Sequence, residues 1–140
     1  MSAATEIEAT MLLCDSAQSV GGKLFILGGG WSLIKKTDQP MSMALAVKLA
    51  IPWSRSNERH RIEAQLKSDQ GEAVSHEGQE VRAEGEIEVG RPPGLKPGTP
   101  LDAAFVLTFQ GLALAPGGYV WVLRAGDDAV LARAPFQVVS

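Results

Sequence analysis

The stretch Met43-Ala44-Leu45-Ala46-Val47-Lys48-Leu49-Ala50-Ile51 sets a large apolar residue at every second position. Successive side chains of a β-strand point to opposite faces. This period of two therefore puts Met43, Leu45, Val47, Leu49 and Ile51 on one side of a sheet. The period recurs downstream. Ile62, Ala64 and Leu66 alternate with Arg61, Glu63, Gln65 and Lys67. Glu84, Glu86 and Glu88 alternate with Gly85, Ile87 and Val89, and Phe105, Leu107 and Phe109 alternate with Val106, Thr108 and Gln110. A helix would need apolar residues at i, i+3, i+4 and i+7, and no long stretch supplies them.

Turn chemistry separates these runs. Gly21-Gly22 parts the first two, Asp69-Gln70-Gly71 follows the Ile62 run, and Ala115-Pro116-Gly117-Gly118 suits a type II turn. Gly126-Asp127-Asp128 closes the last hairpin. Strands are predicted over 7–15, 23–34, 42–51, 60–68, 73–79 (weakly), 83–89, 102–114, 118–125 and 128–139. With one run a bulged continuation of its neighbour, they number about eight. Residues 90–100 hold four of the eight prolines. Proline donates nothing to a ladder, so this segment is read as a long connection between sheets. The reading is an all-β, antiparallel Greek-key β-sandwich, immunoglobulin-like, with 1–140 as a single domain. Three runs are apolar on both faces: 11–14, 24–27 and 119–123. A sandwich normally wets its outer faces, so a loop, a partner subunit or a ligand should cover these.

The 140 residues are 45% hydrophobic and 21% charged. This balance excludes disorder along the whole chain and suffices for one core without staples. The net charge of −3 argues against a nucleic-acid binder. Apolar runs such as 103–107 fall far short of the roughly 18 residues of a membrane helix, so no membrane is expected. A lone Cys14 excludes an intrachain disulfide and fits a reducing compartment. The opening residues lack the basic and apolar regions of a signal peptide, and the expected location is cytoplasmic.

The strings Met11-Leu12-Leu13-Cys14-Asp15, Ala17-Gln18 and Gly22 to Trp31 resemble the opening of a family of small, mainly actinobacterial proteins that carry a domain of unknown function. Arg59-His60-Arg61-Ile62, Gly111-Leu112, Gly118-Tyr119-Val120-Trp121 and Pro135-Phe136-Gln137-Val138 continue the resemblance. It implies a bacterial all-β domain and brings no functional residue with it.

The residues suggest little chemistry of their own. Gly28-Gly29-Gly30 lacks the Gly-Lys-Ser/Thr of a phosphate loop and runs on into Trp31-Ser32-Leu33-Ile34, so it reads as a bulge or a close backbone approach. Cys14, Asp15, His60 and His76 have no metal-ligand or nucleophile–base spacing. Cys14 reads as a small core hydrophobe, and both histidines as solvated. Asp127-Asp128 reads as a hairpin tip, not a calcium site. No catalytic residue, metal or cofactor is assigned. Trp53, at the head of a polar loop, offers a candidate ligand or glycan site with Arg55, Arg59 and His60. Charge is split, with six basic and two acidic residues over 35–61 and two basic against eight acidic over 62–90. This fits cross-strand pairing in one sheet or complementarity between subunits. The expected function is a non-enzymatic interaction module whose partner is a second copy or another protein. A small-ligand-binding sandwich that uses the Trp53 loop is the alternative.

Overall fold

The period-two runs form two sheets that face each other. The computed structural model describes residues 6–126 and 129–140. Its strands are β1 (Glu8–Val20), β2 (Lys23–Gly29), β3 (Leu33–Lys35), β4 (Met41–Ile51), β5 (Arg59–Ser68), β6 (Ser75–His76), β7 (Gln79–Glu80), β8 (Arg82–Glu88), β9 (Leu101–Leu112), β10 (Gly117–Ala125) and β11 (Ala129–Val139). One sheet has the order β2-β1-β4-β9 and the other β3-β11-β10-β5-β8, while β6 and β7 form a small hairpin. The chain is all-β. Segment 89–100 runs from β8 in one sheet to β9 in the other.

The alternation in β4 does what the pattern requires. Met43, Leu45, Val47, Leu49 and Ile51 are buried and meet Ile62, Ala64, Leu66, Trp121 and Leu123 of the facing sheet. Trp121 marks the centre. Its ring lies 4.2 Å from that of Phe109, and its indole N–H donates to the sulfur of Met43 at 3.4 Å. An indole buried with its N–H satisfied joins the two layers at no polar cost.

Several strand expectations are corrected. Residues 23–34 do not form one bent strand. β2 and β3 belong to different sheets, and the chain crosses between them at Gly30–Ser32. There Gly30 donates to Leu13, Ser32 accepts from Gln137, and Trp31 packs edge-on to Phe136 at 5.9 Å. β3 runs parallel to β11, so the sheets are not purely antiparallel. The first strand extends to Val20, because its polar residues from Asp15 onward face water while their backbone pairs with β2. Residues 73–79 yield only two-residue strands, since Glu77 and Gly78 both take positive φ and turn the chain. Short strands like these raise the total to eleven among the described residues, against about eight. The Asp127-Asp128 hairpin tip lies outside the described residues.

β1 stays beside β4 from the Glu8–Ala50 pair to the Cys14–Ala44 pair, then continues with β2 alone. This β1–β2 arm folds over the outer face of its own sheet. Ala17 and Leu24 pack on a second cluster of Cys14, Ala44 and Ala46, and the Ser19 hydroxyl donates to the Ala104 carbonyl at 3.0 Å. Gly28 permits the bend. Its φ is +60°, and an added Cβ would stand 2.7 Å from the carboxyl carbon of Asp15. Gly28→Ala should therefore cost about 1–3 kcal/mol of unfolding free energy in a urea titration.

Candidate functional site

The three doubly apolar strands meet three different fates. In β10, outward-facing Val122 is buried because Gln65 and Arg133 stand opposite it on the two neighbouring strands. Long polar side chains cover apolar neighbours with their stems. In β1, the outer face at Cys14 is covered by the chain's own arm. In β2, the arm's outward side is left open. Phe25 and Leu27 are 57% and 71% exposed, and Val20 across the turn is 57% exposed. Ile26, on the opposite face of β2, is exposed as well, with Leu12 close by at Gly29.

β2 is also an edge. Among the described residues it pairs with β1 and has no neighbour on its other side. Edge strands attract further strands unless charge or irregularity blunts them. The far edge of the other sheet is blunted in this way. β8 carries Glu84, Glu86 and Glu88, and none of its large apolar residues is exposed. In β2 the sole charge is Lys23, and exposed Phe25 and Leu27 flank a row of free main-chain groups.

Part of the charge split is met within one sheet, between β5 and β8 and, for Arg82 with Glu84, along β8 itself. Arg61 pairs with Glu84, Arg82 with Glu84 at 3.3 Å and Glu63 at 3.7 Å, and Arg59 reaches Glu88 at 4.0 Å. The Arg61 hydrogen bond and charge, with help from Arg82, hold the Glu84 carboxyl below its ordinary range.

The Trp53 group is only partly assembled. Trp53–Arg55 form a single 3-10 turn. His60 is not solvated. It shares the inward face of β5 with Ile62 and Ala64, is buried, and its Nε2 lies 3.0 Å from the Arg55 carbonyl. Arg55, Arg59 and His60 border one cleft of about 330 Å³, whereas Trp53 borders another of about 210 Å³ with Pro52 and Pro100. The guanidinium of Arg91 lies 4.4 Å from the Trp53 ring centre, and its N–H groups donate to Ser56 and to the Trp53 carbonyl. That indole face is therefore occupied by the chain itself, through a residue the sequence pattern does not single out.

Cys14 lies on the outer side of one sheet, and His60 faces inward from the other. Burial, then the charge of Asp15, pushes the Cys14 thiol up, and the thiol donates to the Ala44 carbonyl at 3.4 Å. A protonated, enclosed thiol is a poor nucleophile. Among the described residues, no three His, Cys, Asp or Glu side chains converge as a metal site.

Two facing sheets, with an apolar arm folded over one of them, define an all-β sandwich whose most distinctive surface is a free strand edge. The chain belongs to a family of unknown function, DUF6941, which it matches over residues 9–139. Comparison with curated proteins gives no match. Among solved structures it is similar to the alkylpurine DNA glycosylase AlkC of Pseudomonas fluorescens bound to DNA containing an abasic site analog. The TM-score is 0.52 at 12% identity, over 97% of this chain and 31% of that one. A β-glucosidase of Listeria innocua gives 0.51 at 10% identity, over 96% of this chain and 16% of that one. A Kluyveromyces marxianus β-glucosidase in complex with glucose gives 0.50 at 11% identity, over 97% and 14%. The chain thus spans less than a third of the length of these proteins. Likeness at such identity shows the fold alone.

Proposed function

We propose that the protein is a non-enzymatic, cytoplasmic interaction module that associates with further copies of itself. One observation carries this reading: Phe25 and Leu27 are exposed together on a strand with a free edge, with Val20 exposed across the turn. Apolar surface gathered at an unpaired edge marks an interaction site more often than a monomer's surface. The separation of Cys14 from His60, and the stacking of Arg91 on Trp53, support an interaction role over catalysis or sugar stacking. No helix among the described residues is long and apolar enough to cross a membrane. Light scattering on a size-exclusion column tests the reading. Between about 1 and 100 μM, the affinity range of modest interfaces, the mass should rise from 14.8 kDa towards twice that value. A mass fixed at 14.8 kDa throughout would refute it.

A further inference from the structure

We infer that the β2 edge is completed by β2 of a second copy, antiparallel across a twofold axis at Phe25, so that the two arms form one ladder. The inference rests on the self-association proposed above and names its surface and geometry.

Three observations lead there. The paired length is set by the chain: the Gly21-Gly22 turn ends the arm on one side and the bend at Gly28 on the other, leaving Lys23–Leu27 with Phe25 in the middle. Five residues is an ordinary strand length. The outward side chains of this segment are apolar at Phe25 and Leu27. About a twofold axis Phe25 meets its own copy, and the pairs across an antiparallel ladder add contact beyond the main-chain bonds.

The ends of the segment carry opposite charge. Lys23 begins it, and the exposed carboxylate of Asp15 lies against Gly28 just past its end. Antiparallel pairing sets Lys23 of each copy opposite Leu27 of the other, at the end of the ladder where that copy's Asp15 stands one strand further in, about 10 Å away. Parallel pairing would set lysine beside lysine. Charge thus favours a second copy in the antiparallel sense, since like charges side by side are penalised.

The test combines cross-linking with charge exchange. Residues directly opposite across a ladder lie within disulfide reach, whereas Gln18, one strand further in, would sit about 14 Å from its copy. Phe25→Cys should therefore give a disulfide-linked dimer under mild oxidation. Gln18→Cys should not, nor should the unaltered protein, whose Cys14 is buried. Lys23→Glu and Asp15→Lys should each weaken dimerisation about twofold to threefold, and the double exchange should restore it. A dimer that shows neither the Phe25→Cys link nor the charge rescue would overturn this pairing and leave self-association standing. A strict monomer would remove both.

Discussion

Phe25→Lys combined with Leu27→Lys is expected to leave the protein folded and to abolish its self-association. Both side chains already face water, so in the monomer the lysines lose little contact and gain full solvation. Stability should change by less than about 0.5 kcal/mol, as for other exposed substitutions. In the paired arms the same positions face a second copy. Burying Phe and Leu side chains contributes on the order of 1.5–3 kcal/mol each when complete, and an ammonium in that contact would have to shed its water unpaired. Dimerisation should weaken at least about 100-fold, or roughly 3 kcal/mol. Sedimentation velocity beside a urea titration separates the two effects. Loss of the dimer together with loss of the fold would point to packing instead of docking.

The second large effect lies in the core. Trp121→Ala should cost about 3–5 kcal/mol. The side chain is fully buried, stacks on Phe109 and satisfies its N–H on Met43. It packs on Phe109 and Met43 of the facing sheet, and neighbours fixed in two ladders cannot collapse into the space left. A domain of this size has about 5–15 kcal/mol in hand, so the variant should unfold at markedly lower urea. A cost under about 1 kcal/mol would contradict the central packing described for Trp121.

Much of this architecture was legible in the sequence, because period two is a local signal. β4 follows it through eleven residues, and the prolines of 90–100 exclude that segment from a central strand. Two kinds of feature were not legible. One depends on backbone sign: Gly28 and Gly30 both take positive φ, yet glycine in a strand reads equally as bulge, bend or break. The single run 23–34 therefore concealed an arm and a crossing between sheets. The other depends on partners. The two apolar faces of β2 were visible in Leu24-Phe25-Ile26-Leu27, but which face the chain itself covers is decided by a fold-back that brings Ser19 to Ala104. His60 was misread by composition, since its neighbours are polar. Its phase with Ile62, Ala64 and Leu66 carried the correct signal. Arg91 had no such signal, because its role arises only when segment 89–100 passes Trp53.

Under the pairing proposed above, a second copy closes the open edge of β2. Hydrogen exchange of those Lys23–Leu27 amides that point away from β1, followed as the protein is diluted, reads this closure. Amides on a free edge exchange with water, whereas amides bonded across a ladder are protected. Protection in this segment should fall on dilution with the same midpoint as the molecular mass, while β4 stays protected throughout. Exchange in Lys23–Leu27 that is independent of concentration, in a sample whose mass does change, would contradict the account.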